Sequence, residues 1–266
     1  MTSRPAELHL AWTAPAADRL WEELGAISVS ESGGKLVAGF PSRADAEAAA
    51  ALVGGVVVEL DPHNNSYLDA WRKWAKPFHT GRLCVRPEWL APLGAPVEVA
   101  IDPGHAFGHG SHPSTALVLD ALERRLQPSD RVLDVGCGSG VLAIAALALG
   151  AATATALDID PLALTVTARN ATANGVAERL IISSDALGNR GELFDVVVAN
   201  IGVVVLRELA PVAAARVAVG GWLMFSGMLN HQWQEIVALV DGFELDAVPT
   251  QDGWAAPILR RSAQLA

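Results

Sequence analysis

The stretch VLDVGCGSGVLAIAA, residues 132–146, decides the fold of this chain. It joins a short apolar run, typical of a buried strand, to three glycines at alternate positions and then to an alanine-rich segment typical of a helix. A strand, a glycine-rich turn and a helix in this order indicate an α/β sheet whose ligands bind beyond the carboxyl ends of the strands. Gly136, Gly138 and Gly140 let the backbone approach such a ligand, because a Cβ atom would collide with it.

Strand and helix patterns alternate from residue 102 onward. After a predicted helix over 114–126, apolar runs are each followed by an amphipathic or alanine-rich segment, the last of which is a predicted helix over 230–240. The predicted strands are RVLDVG, ATATALDID, RLIISSD, FDVVVAN and GWLMFSG, with further strand elements near the C-terminus. Strands that alternate with helices indicate a parallel sheet with helices on both faces. We therefore predict an α/β, Rossmann-like domain over residues 96–266.

Residues 1–61 show a different order of elements. Their patterns follow β-α-β-β-α-β, the order of the ferredoxin-like α+β motif. Ser42 is a typical N-cap for the second helix, and Gly54 is a typical end for it. No catalytic constellation is present, so we predict a small domain for recognition or assembly. Residues 62–95, rich in prolines and aromatic residues, are predicted to form an interdomain linker with a short helix over 65–74.

Polar side chains follow successive predicted strands at their carboxyl ends. Asp158 comes about 20 residues after the glycine turn, where a carboxylate can bind two ribose hydroxyls. Asp185 follows the next strand, where an acid or its neighbouring backbone can meet an adenine amino group, and Asn200 ends the fourth strand. Asp and Asn are also common in caps and turns, but their coincidence with the glycine turn favours a binding site. A dinucleotide fingerprint requires glycine where Val141 stands; this difference, with Asp134 before the turn, favours a nucleoside without a pyrophosphate.

S-adenosylmethionine fits this set of groups. Acceptor oxygens hold its ribose and adenine, and its positive sulfonium tolerates carbonyl oxygens and acids nearby. Its own carboxylate requires donors, which the glycine turn and hydroxyl groups provide. The sequence therefore predicts a methyltransferase with S-adenosylmethionine as its cofactor.

Composition excludes several other classes of protein. Hydrophobic residues make up 51% of the chain and charged residues 18%, which predicts a sizeable core. No apolar run reaches the roughly 18 residues of a membrane span, so no membrane contact is expected. The formal net charge of −10 argues against a broad nucleic-acid-binding surface. Cys84 and Cys137 cannot form a disulfide framework, so we expect a cytoplasmic protein.

The loop HAFGHGSHPST, residues 105–115, raises the question of a metal site. Its three histidines, His105, His109 and His112, are not spaced as in a familiar closed zinc site, and no acid or thiol completes the set. No metal is therefore predicted.

The chain resembles the bacterial ribosomal protein L11 methyltransferase family over nearly its whole length. The matching segments are YLDAWRKWAKPF, DPGHAFGHGSHPSTALVLDAL, VLDVGCGSGVLAIAALALGA, DIDPLAL and FDVVVANI with LRELAP. The loop with AFG-x-G-x-H is the most specific of these, because ordinary class I methyltransferases lack it. The glycine turn alone would indicate only the superfamily.

The resemblance implies a class I methyltransferase fold whose last two sheet strands form a hairpin within 242–261. It also implies that the loop covers the cofactor and that the residue at Thr115 contacts it. From the turn and the resemblance together, the predicted cofactor-binding residues are Phe107, Gly108, Thr115, Gly136, Gly138, Asp158, Asp185 and Asn200. One departure is His109, which stands where the family usually has threonine.

The resemblance further implies methylation of lysine side chains and an α-amino group on a ribosomal protein. Asn200 is the predicted catalytic residue, because its side-chain oxygen or a nearby carbonyl can accept a hydrogen bond from the attacking nitrogen. Ile201 and Gly202 stand in place of the prolines and aromatic residue of the N-P-P-Y motif found in many amide and base methyltransferases. The expected partner is a basic protein, a large-subunit ribosomal protein, which suits an acidic enzyme.

Other functions remain open at this point. A protein-lysine methyltransferase acting on another protein, such as an electron-transfer flavoprotein subunit, would have the same cofactor residues. A small-molecule or nucleic-acid methyltransferase and a non-catalytic cofactor-binding protein are further alternatives. A nicotinamide-dependent oxidoreductase is disfavoured by Val141 and by the lack of a Tyr-x-x-x-Lys pair, since Tyr67 is the only tyrosine.

Overall fold

The computed structural model describes residues 6–11, 13, 16, 19–20, 23–26, 28–32, 35–40, 42–59, 76–104, 111–189 and 191–262. The chain divides into two compact units, Met1–Ala70 and Trp71–Ala266. In these described ranges, no helix is both long and apolar enough to cross a membrane.

The first unit is a small antiparallel sheet with a helix packed on it. Its described elements are β1 (Ala6–Ala11), β2 (Ser28–Ser32), β3 (Lys35–Phe40), α1 (Arg43–Val53) and β4 (Val56–Glu59). The strand order β2-β3-β1-β4 with antiparallel pairing confirms the predicted ferredoxin-like sheet. The predicted helix before β2 falls largely outside the described residues.

Helix α1 has the boundaries that its sequence predicts. The Ser42 hydroxyl accepts a hydrogen bond from the Asp45 backbone N–H at 3.1 Å, and Gly54 ends the helix with a φ of 77°. A hydroxyl in this position satisfies one of the free N–H groups at the start of a helix. The buried Ala46 and Ala49 then face Leu36 and Phe40 of the sheet in one apolar cluster.

The second unit carries the larger sheet. Its helices are α2 (Pro113–Arg125), α3 (Val141–Leu149), α4 (Pro161–Ala173), α5 (Val203–Ala214) and α6 (Trp233–Val237). Its strands are β5 (Phe78–His79), β6 (Leu83–Pro87), β7 (Val97–Ile101), β8 (Arg131–Val135), β9 (Thr153–Leu157), β10 (Leu180–Ser183), β11 (Phe194–Asn200), β12 (Val217–Ser226), β13 (Met228–Leu229), β14 (Phe243–Ala247), β15 (Thr250–Gln251), β16 (Trp254–Ala255) and β17 (Ile258–Arg261). Short 3-10 turns span Ala177–Arg179 and Leu187–Asn189.

The main sheet has seven strands in the order β10-β9-β8-β11-β12-β17-β14. The first five strands are parallel, and β17 is antiparallel to both of its neighbours. This arrangement confirms the predicted Rossmann-like fold, with β14 and β17 as the closing hairpin strands. The strand order reverses between β8 and β11, where open α/β sheets bind their ligands.

Side chains alternate between the two faces of this sheet and fill two separate cores. Val132, Val196 and Val198 belong to the cluster around α3, whereas Leu133 and Val197 belong to the cluster around α5. A period of two is the expected result of strand geometry. Helix α3 is apolar on almost every side, as is typical of an enclosed helix. Its burial fixes the position of the helix start, which directly follows the glycine turn.

Part of the predicted linker folds differently from the expectation. Residues 78–87 form β5 and β6, and β6 pairs in parallel with β7 in a three-stranded sheet. Leu83 and Val85 are buried in the same cluster as α3, so burial rather than local sequence pattern decides their conformation. The predicted helix over 65–74 lies outside the described residues.

Two predicted helix boundaries also need correction. The helix expected from Ser114 begins at Pro113, and its N-cap is His112. The helix expected over 230–240 is limited to α6, and the Gln232 side chain instead accepts a hydrogen bond from the Leu229 backbone N–H at 2.7 Å. That turn leads the chain from β13 into α6.

Candidate cofactor and methyl-transfer site

The glycine turn is tied to the ends of two neighbouring strands. The backbone N–H groups of Gly136 and Cys137 both donate to the Leu157 carbonyl, at 2.8 and 2.9 Å. Gly136 has a φ of 73°, and a Cβ atom there would lie 2.3 Å from Cγ2 of Ile201. Only glycine suits such a position. The turn therefore lies directly against the end of β9 and the residue that follows β11.

Asp158 is the first residue after β9 and contacts the turn. Its Oδ2 accepts the Gly138 backbone N–H at 2.9 Å, and its Oδ1 accepts the Asp160 N–H at 3.0 Å. An ionised carboxylate has about four lone-pair sites, so both oxygens keep the capacity to accept hydroxyl groups. These two backbone contacts fix the carboxylate at the carboxyl end of the sheet.

Asn200 ends β11 and is joined to the start of α2. Its Nδ2 donates to the Thr115 hydroxyl oxygen at 3.0 Å, and both side chains are buried. The Asn200 Oδ1 is also buried and has no hydrogen-bond partner among the described residues. Leaving a buried acceptor unpaired costs roughly 1–3 kcal/mol. The Thr115 contact thus fixes an acceptor that no described residue satisfies.

A second unpaired acceptor belongs to Asp134, the second-to-last residue of β8. Its Oδ2 accepts the Ala143 backbone N–H at 3.1 Å, whereas its Oδ1 is buried and has no partner in the described part of the chain. Burial raises the pKa of this carboxyl to about 7; the Ala143 hydrogen bond opposes the shift and the nearby Asp158 charge adds to it. Our sequence reasoning did not select Asp134 as a site residue. The sequence did contain a signal for it, because Asp134 is the one acidic residue in the otherwise apolar run VLDV.

His112 and Trp254 support the start of α2. The His112 Nδ1 accepts the Ser114 backbone N–H at 3.3 Å and lies 2.8 Å from the Ser114 hydroxyl oxygen. The His112 ring meets the Trp254 ring edge-on, with centroids 4.8 Å apart. Within the described residues, no group of three or more His, Cys, Asp or Glu side chains is arranged to hold a metal ion. His105 and His109 lie outside them.

The structure brings most of the predicted site residues together by direct contacts. Thr115 contacts Asn200, and Gly138 contacts Asp158, while Gly136 packs on the residue after Asn200. Asp185 is exposed two residues beyond β10, and its backbone N–H donates to the Ser183 hydroxyl at 3.0 Å. The predicted loop residues Phe107 and Gly108 lie outside the described residues.

The sheet order, with a glycine turn after β8 and polar groups at the carboxyl ends of β9 and β11, defines a class I methyltransferase fold. The chain belongs to the ribosomal protein L11 methyltransferase family: the family model described as "Ribosomal protein L11 methyltransferase (PrmA)" matches residues 46–262. This finding confirms the family that the sequence motifs indicated.

Individual relatives agree with this assignment. The ribosomal protein L11 methyltransferase of Heliobacterium modesticaldum is 38% identical over 208 residues, which cover 76% of this chain and 66% of that protein. The Vibrio parahaemolyticus protein of the same name is 42% identical over 189 residues, 69% of this chain and 64% of its own. The chain thus spans slightly less than two thirds of the length of these relatives. A crystal structure of ribosomal protein L11 methylase from Lactobacillus delbrueckii subsp. bulgaricus is 30% identical, with a TM-score of 0.62, over 70% of this chain and 98% of that one.

Proposed function

We propose that this protein is an S-adenosylmethionine-dependent methyltransferase that methylates amino groups of a ribosomal protein similar to L11. The observation that carries the proposal is the fixed and buried Oδ1 of Asn200 at the carboxyl end of the sheet, which has no hydrogen-bond partner among the described residues. An acceptor held in this way suits the N–H of an incoming amine. Membership in the family supports the reaction and the class of substrate.

The residues present fit S-adenosylmethionine. Asp158 offers carboxylate oxygens to the ribose hydroxyls, and the three glycines of the turn, all with positive φ, carry no Cβ atom that could obstruct a ligand. The buried Oδ1 atoms of Asp134 and Asn200 are acceptors near which a cation is favoured. Bound there, the cofactor supplies an electrophilic methyl group. We assign further cofactor contacts to Phe107, Gly108, Thr115, Gly136, Gly138 and Asp185.

The proposed task of the protein is to orient a neutral amine. The Thr115 hydroxyl holds the Asn200 amide so that its Oδ1 accepts one N–H of the amine and directs the nitrogen lone pair toward the methyl group. Desolvation in a buried site lowers the pKa of a lysine, which favours the neutral amine. Correct orientation of two reactants can contribute roughly 7–11 kcal/mol, so no general base is required from the chain.

The proposed substrate is a basic protein, in keeping with the net charge of −10 on this chain. We propose that the ferredoxin-like unit over 1–61 recognises it and that 62–95 connects this unit to the methyltransferase domain over 96–266. Cys84 and Cys137 are buried and free. We propose the reducing cytoplasm as the location of the protein.

The test is to incubate the full chain with methyl-labelled S-adenosylmethionine and ribosomes, or free ribosomal proteins, that lack the modification. Mass spectrometry then locates the label. Asn200→Ala is expected to lower the rate by about 10²-fold or more, the scale found when one preorganised polar group is removed from an active site. Gln127→Ala, which truncates an exposed amide at the opposite end of the sheet, is the matched control and is expected to retain the rate.

Label on one large-subunit protein, lost only in Asn200→Ala, supports the whole proposal. Cofactor binding without label on any ribosomal protein would reject the substrate and leave the cofactor site intact. Failure of the unaltered protein to bind S-adenosylmethionine or S-adenosylhomocysteine would reject the cofactor assignment itself.

A further inference from the structure

Side chains on one face of α4 donate hydrogen bonds to the glycine turn. Thr167 and Asn170 are buried on this face. The Thr167 hydroxyl donates to the Gly138 carbonyl at 3.0 Å, and the Asn170 Nδ2 donates to the Ser139 carbonyl at 2.9 Å. Two successive carbonyl groups of the turn are therefore bonded to side chains of one helix.

The same Asn170 amide also holds the end of β7. Its Oδ1 accepts the Asp102 backbone N–H at 3.2 Å, and its Nδ2 donates to the Asp102 carbonyl at 3.1 Å. Asp102 is the first residue after β7, and its own Oδ1 accepts the Gly104 backbone N–H at 2.9 Å. One side chain, only 1% exposed, thus joins the glycine turn to a segment that lies more than thirty residues earlier in the chain.

Asn174, one helical turn later, provides a natural comparison. Like Asn170, it bonds both backbone groups of one residue. Its Oδ1 accepts the Ala100 backbone N–H at 2.8 Å, and its Nδ2 donates to the Ala100 carbonyl at 2.7 Å. Its second donor contact goes to the Asn170 carbonyl at 2.8 Å, within the helix itself. Both residues therefore clamp β7 and its end, and of these two only Asn170 also contacts the turn.

We propose that Asn170 is a positioning residue that sets the glycine turn in register with residues 100–104 and thereby determines the affinity for the cofactor. Asparagine is a poor helix former, and burying its amide is costly unless its polar atoms are paired. Here the amide is paired, and its bonds connect two segments that have no strand pairing with each other. This inference rests on the proposed function, because it takes the glycine turn as the cofactor site.

The test compares Asn170→Asp with Asn174→Asp in the full chain. Each variant keeps an acceptor for the strand N–H and loses two donor contacts to carbonyl groups. We expect Asn170→Asp to weaken S-adenosylhomocysteine binding, measured by calorimetry, by about tenfold or more, whereas Asn174→Asp changes it by less than about threefold. Asn170→Ala and Asn174→Ala form a second pair that introduces no charge.

Two further readouts separate positioning from general stability. The KM for S-adenosylmethionine is expected to rise in the Asn170 variants while kcat at saturation changes little, and both pairs of variants are expected to lose similar thermal stability. Amide hydrogen exchange is expected to quicken in peptides over 136–140 only when Asn170 is changed.

Equal losses of affinity in the Asn170 and Asn174 variants, or unaltered exchange over 136–140, would overturn the proposal. The exchange measurement needs no cofactor. If the unaltered protein binds no S-adenosylhomocysteine, the proposed function fails, and the exchange data still decide whether Asn170 holds the turn.

Discussion

The two ends of the paired strands β8 and β11 differ in how their polar groups are satisfied. At the amino end, the Arg131 backbone N–H donates to Asp195 Oδ2 at 2.9 Å, and the Arg131 Nε lies 3.5 Å from the same atom. Both side chains are substantially exposed. At the carboxyl end of the same strands, Asp134 and Asn200 are buried, and each has an acceptor without a partner in the described residues.

We interpret this difference as a separation between groups that serve the fold and groups that are proposed to serve a ligand. Exposed ion pairs satisfy each other and water, and they contribute little free energy. A buried unpaired acceptor lowers stability. Because open α/β sheets bind ligands at the carboxyl ends of their strands, we propose that these two acceptors have a function outside folding. Both unpaired acceptors lie beside the glycine turn, the part of the site that the sequence predicted most directly.

The largest expected effect is on the stability of an Asp134→Asn variant as a function of pH. The pKa of this carboxyl is raised to about 7 in the folded protein, whereas in the unfolded chain it has an ordinary value of about 4. Between these values the folded state binds more protons, so the contribution of Asp134 to stability falls as pH rises from about 4 to about 7. An asparagine side chain at this position does not ionise, so the variant does not lose stability in this way as pH rises.

We therefore expect the difference in the free energy of unfolding between Asp134→Asn and the unaltered protein to change with pH. It should shift in favour of the variant by up to roughly 4 kcal/mol as pH rises across this range. Urea unfolding at intervals from about pH 4 to about pH 8 measures the difference. Curves that stay parallel over the whole range would show that Asp134 does not titrate as its burial requires.

The next effect concerns the contact that fixes Asn200. Thr115→Val keeps the shape of the side chain but removes the oxygen that accepts the Asn200 Nδ2 at 3.0 Å. Without this acceptor the Asn200 amide is no longer held in its orientation, so we expect kcat to fall by about 10- to 100-fold, which corresponds to roughly 1.4–2.7 kcal/mol of transition-state stabilisation. Thr115→Ser retains the hydroxyl and is expected to recover most of the rate. Similar rates for the valine and serine variants would contradict a positioning role for the hydroxyl.

The elements that could be predicted from sequence are those whose signal is local. The glycine turn after a buried strand, the Ser42 cap and the end of α1 at Gly54 each depend on neighbouring residues alone. Asn200 was predictable because parallel strands bring their carboxyl ends to one end of the sheet. The same reasoning predicts the class of ligand from the sequence.

Features that depend on distant partners could not be predicted in this way. Leu83 and Val85 form a strand because β7 pairs with them, and nothing in the proline-rich neighbourhood indicates that pairing. The contacts of Asn170 cross 31 residues to Ser139 and 68 residues to Asp102, while in sequence it is only a polar residue in a helix. The cap at His112 did have a local signal that we did not use, since Pro113 is typical of the first position in a helix.

The smallest expected effect is at the amino end of β8 and β11. Asp195→Asn removes the charge that pairs with Arg131, where the two side chains are 37% and 52% exposed. Exposed pairs of this kind contribute about 0–1 kcal/mol, and salt screens them. We expect a urea midpoint that shifts slightly at low salt and not at high salt, together with an unchanged rate of methyl transfer. A change confined to exposed and hydrogen-bonded groups should not affect buried acceptors at the other end of the strands. A loss of rate comparable to that of the Thr115→Val variant would therefore mean that the two ends of β8 and β11 are coupled.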